Sequence, residues 1–418
     1  MATTDASAST PAAPTRVDPP LRRARGATFV YFGAEGYAFA ALTSEVANIQ
    51  SRLKVDDGTL SILLAVVPVI AGVGSVLAGF LVGRHSSSVV LRYSQVLVLA
   101  SILAAGYAPS FVLMLPVLAL FGLSVGAVDA TSNMQAVALQ KRYGRSIILA
   151  FHGSWALGAF VGSVAASLTA KFEGKVYDYL FLGSAIVLIP VLLGFGPRLL
   201  RGIGDETLTA EAKTVKIPWK PMGAICAVIA MAYLGDSTVS SAGGVYLEKE
   251  LLAHGWQYTA VYAVYSVPLM IGRFCGDKLT DRFGGVPIAR VAAVCAVLGF
   301  ILVATAPNVW AALAGFAVVG LGISVMAPLT FAAAGRLDPH ETGLAVARLN
   351  VFNYVGFLLG APLLTSLWQA GLPYRPGWAI PAALGLLMFV VAYGFSETRT
   401  ATTKAAPLMV LEPDSGIG

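Results

Sequence analysis

Charged residues are scarce in this chain of 418 residues: Asp, Glu, Lys and Arg together make up 12% of it, against roughly 25% in typical soluble proteins. Hydrophobic residues supply 57%, and the mean hydropathy is +0.75. The core of a soluble domain cannot hold that much apolar surface, whereas a lipid bilayer can. The composition therefore excludes an ordinary soluble protein and predicts an integral membrane protein.

Cysteine and histidine are rare as well. All three cysteines fall inside apolar runs, at Cys226, Cys275 and Cys295, which excludes a framework of disulfide bonds. The cysteines and the four histidines show no metal-ligand spacing, so we expect no metal. A match to the G-x-S-x-G motif, from Gly122 to Gly126, lies within an apolar run rather than at a strand-to-helix turn. We therefore expect neither an enzyme nor a cofactor.

The net charge of +6 does not indicate nucleic-acid binding, because the basic residues form no patch and lie in short breaks between apolar runs. Of the 28 Lys and Arg residues, 20 fall on one side of the predicted membrane and six on the other. Because basic loops stay inside the cell, this bias predicts that both termini are cytoplasmic.

Twelve apolar runs reach the length of about 20 residues that a helix needs to cross a bilayer. They lie near 27–48, 60–83, 89–107, 110–138, 147–170, 179–196, 220–247, 258–280, 288–306, 308–335, 342–367 and 377–396. The sequence therefore predicts an all-α fold of twelve transmembrane helices.

The polar segments divide these runs into two sets of six. Residues 1–26 lack the apolar core of a signal peptide and indicate a disordered cytoplasmic tail. The longest polar break, 197–219, is the predicted cytoplasmic linker. It separates an N-terminal bundle, 27–196, from a C-terminal bundle, 220–396, and a second cytoplasmic tail follows at 397–418.

The two bundles share a repeat at one offset of 198 residues. The end of the second run, 79–86, aligns with the end of the eighth, 277–284, and the GxxxG segment 158–162 aligns with 356–360. The GxxxG segments favour close helix packing over a direct substrate role. Repeated halves with a site between them near the middle of the membrane are a common plan of membrane carriers.

The repeated loop resembles the signature G-x-L-x-D-R-x-G of the major facilitator superfamily, which lies between the second and third helices of each half. The second half keeps most of it, in Leu279, Asp281, Arg282 and Gly284, with Asp277 at the first position. The first half keeps Gly79, Leu81 and Arg84, with Gly83 in place of the family Asp. The resemblance implies a fold of two pseudo-symmetric six-helix bundles and a gating role for these loops, with the usual ion pair weakened in the first half.

A closer likeness is to the fucose-permease-like branch of bacterial inner-membrane transporters. Three segments carry it: Asp-Ala-Thr-Ser-Asn-Met-Gln-Ala-Val at 129–137, Lys-Arg-Tyr-Gly-Arg at 141–145 and Phe-His-Gly-Ser-Trp-Ala-Leu-Gly at 151–158. The branch implies a multi-pass transporter of the bacterial cytoplasmic membrane. The sequence departs from it at 44–47, where Ser-Glu-Val-Ala replaces a Ser-Arg-Ile-Pro pattern.

Charged side chains inside a membrane cost roughly 2.5–3.5 kcal/mol each on insertion scales and usually mark function. Asp129 is the first candidate for binding a coupling proton and Glu35 the second, with Asp236 and His152 as further candidates. The alternative reading is a set of structural pairs that hold helices together. The energy source would be a proton gradient rather than a cofactor.

Helical spacing aligns further polar and aromatic side chains towards a central cavity. The substrate-cavity candidates are Asn133, Trp155, Tyr262, Ser266, Arg273, Arg348, Asn350, Asn353 and Tyr354. For Arg273, pairing with Asp277 or Asp281 is an equal alternative.

The leading hypothesis is a proton-coupled carrier that exports a natural product or drug-like compound by alternating access. A sugar/proton symporter for uptake remains open, and so does a membrane sensor that does not transport. The expected partners are a small solute and the lipid bilayer, and we expect a monomer that binds no nucleic acid.

Overall fold

The computed structural model describes residues 18–395, apart from residues 170, 171, 173, 202–216, 255, 256, 258, 259 and 339. The predicted tail 397–418, most of the linker 197–219 and the first 17 residues of the predicted tail 1–26 lie outside the described residues. Every regular element in the described part of the chain is a helix, as the composition predicts.

Twelve long helices are present in these described residues. The first half contains α1 Pro19–Ser44, α2 Asp57–Val82, α3 Ser87–Tyr107, α4 Phe111–Tyr143, α5 Ile148–Thr169 and α6 Asp178–Arg198. The second half contains α7 Trp219–Lys249, α8 Val261–Phe283, α9 Gly285–Thr305, α10 Val309–Leu337, α11 Leu344–Gln369 and α12 Tyr374–Phe395. Helix α6 begins with a π turn at Asp178–Leu182, and a short helix at Val46–Leu53 follows α1.

Ten of the described helices are long and apolar enough to cross a membrane on length and composition alone. The other two are α1, with 26 residues, and α8, with 23. At 1.5 Å per residue both exceed the hydrocarbon thickness of about 30 Å. Apart from Glu35 in α1 and Arg273 in α8, their charged residues cluster at one end, at 22–25 in α1 and at 277–282 in α8, so these ends reach the headgroup region. The twelve-helix prediction is confirmed.

Residues 19–26 differ from the predicted disordered tail, because α1 already begins at Pro19. Proline suits the first turn of a helix, where its missing N–H has no partner to lose. The apolar run in the sequence begins only after the last of the arginines in this segment. The helix itself begins earlier and includes a charged first turn at the membrane surface. The prediction is therefore wrong for these eight residues.

The GxxxG segments pack helices together in the same way in both halves. A Cβ atom on Gly158 of α5 would lie 1.9 Å from the backbone oxygen of Gly33 in α1. A Cβ atom on Gly356 of α11 would lie 2.2 Å from the backbone oxygen of Ala230 in α7. Only glycine permits such close backbone contact. This geometry supports the packing interpretation of the repeat.

The halves close against each other at the face where both described chain ends lie, which we call the terminal face. There Ser75 of α2 donates a hydrogen bond to the carbonyl of Ala347 in α11, at 3.3 Å. Polar contacts described at the opposite face join helices of the same half: Arg52 donates to the carbonyl of Ala105 at 2.8 Å, and Arg375 donates to Glu250 at 2.7 Å. The inter-half contacts thus concentrate at the terminal face.

Candidate functional site

Two acidic side chains meet in the first half, deep in the bundle. Glu35 of α1 is 3% exposed, and Asp129 of α4 is partly exposed. The two carboxyl groups are close enough to interact, and Oε2 of Glu35 has no hydrogen-bond partner among the described residues. Two charged carboxylates placed so close together would repel each other. Charging Glu35 and Asp129 at the same time is therefore unfavourable in this arrangement.

A tyrosine of the other half reaches this pair. The hydroxyl of Tyr354, on α11, donates a hydrogen bond to Oδ2 of Asp129. Since Asp129 belongs to the first half and Tyr354 to the second, the acidic pair is linked directly to the contact between halves.

An amide and an imidazole extend the same cluster. Nδ2 of Asn133 donates to the backbone carbonyl of Asp129 at 2.8 Å, and Nε2 of His152 lies 3.1 Å from Oδ1 of Asn133. The His152 ring packs between the rings of Phe32 and Phe331, at centroid distances of 5.4 and 5.7 Å. We call Glu35, Asp129, Asn133, His152 and Tyr354 the central cluster; sequence reasoning proposed all five.

A second polar group lies in the other half. Asp236 of α7 accepts a hydrogen bond from the hydroxyl of Tyr265 on α8, at 2.5 Å. The ring of Tyr262 lies 5.9 Å from that of Tyr265 and is 48% exposed, and the Ser266 hydroxyl donates to the carbonyl of Ala263. Sequence reasoning included Tyr262 and missed Tyr265. The three-residue spacing of the two tyrosines on one helix face was the available signal.

Arg273 lies on α8 against α5 and is 9% exposed. Its Nη1 donates to the carbonyl of His152 at 3.4 Å, and its Nε has no hydrogen-bond partner among the described residues. No ion pair with Asp277 or Asp281 is found in the described part of the chain. The carboxylate of Asp277 instead accepts bonds from the start of α5. The predicted alternative of an ion pair within α8 is therefore not realised in this arrangement.

The remaining cavity candidates divide. Asn350 is fully buried and accepts a bond from Asn353 at 3.2 Å, and the ring of Trp155 lies 5.9 Å from that of Phe39. Arg348 is exposed, and its guanidinium lies 5.4 Å from the ring centre of Trp219.

Arg348 lies away from the other cavity candidates because the helix turns its side chain in another direction. It precedes Tyr354 by six residues, which is about one and two-thirds turns and directs the side chain to a different face. The cavity assignment of Arg348 is therefore corrected.

Two carboxylates at the end of α8, in the predicted gating motif, bind the start of α5. Oδ1 of Asp277 accepts hydrogen bonds from the Ser146 hydroxyl at 2.7 Å and the Leu149 amide at 3.1 Å, and Oδ2 accepts from the Ala150 amide at 2.9 Å. Asp281 accepts from the Ser146 amide at 2.6 Å. The carboxylates satisfy the free N–H groups of a helix start, where a negative charge is favoured. Arg282 is exposed and lies over the Phe283 ring.

The corresponding loop of the first half has no carboxylate, because Gly79 and Gly83 occupy those positions. Gly79 instead lets α2 approach Ala347, to which its Cβ would lie at 3.2 Å, and Arg84 is exposed. The start of α11 is capped from within its own half. Asp338 accepts bonds from the Thr342 amide at 3.1 Å and the Gly343 amide at 2.8 Å.

Charged groups at the end of α4 and in the loop before α11 meet across the halves. Nζ of Lys141 donates to the carbonyl of Asp338 at 2.8 Å and lies 4.0 Å from the Glu341 carboxylate, and Arg142 lies 3.8 Å from the same carboxylate. Since these side chains are partly exposed, each ion pair contributes at most about 1 kcal/mol. They add specificity to the closure more than strength.

Two matched six-helix halves with buried polar groups at their contact are the common plan of multi-pass membrane carriers. The sequence model of the Major Facilitator Superfamily matches residues 225–410. The uncharacterised transporter y4wD of Sinorhizobium fredii is 28% identical over 86% of this chain and 95% of its own length. The chain is therefore similar to the transporters of the major facilitator superfamily and not to enzymes.

Solved structures share the fold at low identity. The fucose permease FucP, in its outward conformation, superposes with a TM-score of 0.74 at 14% identity and covers 91% of this chain and 99% of its own. The proton:xylose symporter XylE gives a TM-score of 0.68 at 14% identity, over 90% of this chain and 95% of its own. The predicted resemblance to the superfamily is confirmed, and the fold matches that of the fucose permease.

Proposed function

We propose that this transporter couples proton movement to the passage of a small organic solute, with the Glu35–Asp129 pair as the proton site. The observation that carries the proposal is the contact between two carboxyl groups deep in the bundle, one of which is also bonded to Tyr354 of the opposite half. Two acids so close together bind and release protons as a pair, and a change in their surroundings shifts that equilibrium.

The coupling follows from this link between the halves. When the terminal face opens, Tyr354 moves with the second half and Asp129 with the first, so their hydrogen bond breaks. Asp129 then loses a hydrogen-bond donor, and the bond returns when the halves close again. The surroundings of the acidic pair thus differ between the open and closed states, so proton binding depends on the conformation. The hydrogen bond between Tyr354 and Asp129 thereby couples protonation of the acidic pair to alternating access.

The solute path proposed from the geometry runs between the central cluster and the Asp236–Tyr265 group. Tyr262 is half exposed there, and Asp129 and Asp236 are partly exposed, so a solute could contact all three. The symporter named above is described as proton-coupled, which is consistent with a similar energy source here. The charge bias of the loops supports a cytoplasmic terminal face in a bacterial inner membrane.

Proteoliposomes test the proton site. Thermal-shift screening of the purified protein against sugars and export compounds first supplies a transported solute. We expect Asp129→Asn and Glu35→Gln to abolish uphill flux driven by a pH gradient while solute counterflow persists, because counterflow needs no net proton movement. As a matched control, Asp178→Asn changes an acid at the opposite face and should leave both fluxes intact.

The same vesicles measure direction. A solute that leaves as protons enter supports the predicted efflux, and cotransport in one direction supports uptake by symport. If Asp129→Asn and Glu35→Gln retain gradient-driven flux, the pair is not the proton site. Infrared difference spectra add a readout without any solute: the band of a protonated carboxyl group should disappear in these two variants.

A further inference from the structure

A cavity of about 400 Å³ lies at the terminal face, between the start of α1 and the end of α6. It is lined by Arg23, Gly26, Phe195 and Arg198. It is separate from the central cluster and takes no part in the proposed proton coupling. Two arginines from two helices therefore face one cavity that the transport mechanism does not use.

The charged residues that line this cavity are all positive. None of its lining residues is acidic, and in the part of the chain that the structure describes no ion pair involves Arg23 or Arg198. The Arg198 guanidinium lies 4.7 Å from the centre of the Phe195 ring, which orients it. The aliphatic stem of Arg92 packs against Gly196, two residues before Arg198.

The position of the cavity points to lipid rather than to a soluble ion. Ile186, Val187 and Leu193 of α6 are 64%, 61% and 57% exposed, so this face of the helix is an apolar surface suited to contact with acyl chains. Arg198 follows Val187 by about three turns and lies on nearly the same face. The cavity is thus located where a lipid-facing stripe ends at the headgroup level.

We propose that the cavity binds the headgroup of an anionic phospholipid, with the phosphate between Arg23 and Arg198. Guanidinium groups bind phosphate oxygens through paired N–H donors, and the Phe195 ring offers an apolar surface to the glycerol and upper acyl chain. Basic pockets between transmembrane helices are suited to such headgroups. Occupancy would fasten the end of α6 to the start of α1.

Lipid binding to the full-length protein tests the site. The protein is purified in detergent, stripped of lipid, and titrated with phosphatidylglycerol or phosphatidylcholine while native mass spectrometry counts bound lipids. We expect wild type to prefer phosphatidylglycerol. Arg23→Gln and Arg198→Gln should each weaken that binding about fivefold, and the double variant about thirtyfold, since each surface arginine supplies a similar electrostatic share. Arg23→Lys should keep most of it.

Arg282→Gln is the matched control, because this exposed arginine lies at the terminal face of the other half and outside the cavity. It should leave the preference unchanged. The assignment is overturned if the double variant binds phosphatidylglycerol as wild type does, or if Arg282→Gln loses as much. Inorganic phosphate that displaces the lipid at equal concentration would instead identify a soluble-anion site. Thermal midpoints in phosphatidylcholine confirm that all variants fold.

Discussion

A single hydroxyl group joins the acidic pair of the first half to the second half. Tyr354 donates to Asp129, and no other side chain of the second half is described in contact with that carboxylate. A hydrogen bond to a charged group contributes about 1.5–3 kcal/mol. Replacing Tyr354 with Phe removes this donor and keeps the ring, so packing is nearly preserved.

We expect Tyr354→Phe to lower gradient-driven flux roughly tenfold or more, because an energy of that size corresponds to at least a factor of ten. Counterflow should change less, since it does not require release of the proton. Tyr93→Phe is the control: that residue is 70% exposed on α3, and its hydroxyl has no described bond. Initial rates in proteoliposomes measure both. Equal losses in the two variants would contradict the proposed link.

Residue-level prediction succeeded where one helix or two neighbouring helices carry the signal. Asp129 and Asn133 are four apart on α4 and do meet in the central cluster. Sequence alone could not show that Glu35 joins Asp129, because that contact depends on how α1 packs on α4. Arg348 was misplaced for a simpler reason: it shares a helix with Tyr354 but not a face.

At the scale of the helix, one packing device recurs. Glycines of α5 lie against the backbone of α1, and glycines of α11 lie against α7. The repeat in the sequence predicts this packing because both copies keep glycine at the same positions. The cap of α11 could not be predicted in this way. The family carboxylate is missing from the end of α2, and Asp338 supplies one from α11's own half.

Gly158→Ala should destabilise the protein, because the added Cβ would lie 1.9 Å from a backbone oxygen that cannot move aside cheaply. Overpacking of this kind costs about 1–3 kcal/mol. Gly194→Ala on α6 is the matched control, since a Cβ there meets nothing within 4 Å. It should be neutral or slightly stabilising, because alanine favours a helix. Thermal midpoints in detergent compare them, and equal midpoints would refute close packing at Gly158.

At the scale of the whole molecule, closure of the terminal face is asymmetric. The end of α8 places two carboxylates on the start of α5 in the other half. The end of α2 makes a contact of small residues, Gly79 against Ala347, and the carboxylate before α11 bonds within its own half. Of the two repeated motifs, only the second therefore holds the halves together through charged groups, which are Asp277 and Asp281.

Asp277→Asn should shift the protein towards the state that is open at the terminal face. The substitution removes the charge that accepts three hydrogen bonds from the start of α5, and each such bond to a charged group contributes about 1.5–3 kcal/mol. Losing even one of them changes the ratio of the two states about tenfold. A cysteine at Val346, which is 2% exposed in the closed interface, reports the change by its rate of thiol labelling.

Asp338→Asn separates closure from helix capping in the same assay. It weakens the cap of α11 within one half, so it should lower the thermal midpoint and leave the labelling rate at Val346→Cys nearly unchanged. Asp277→Asn should raise that rate about tenfold or more with a smaller effect on the midpoint. A different result would contradict this assignment. If Asp338→Asn raises the labelling rate and Asp277→Asn mainly lowers the thermal midpoint, the cap of α11 holds the halves together instead.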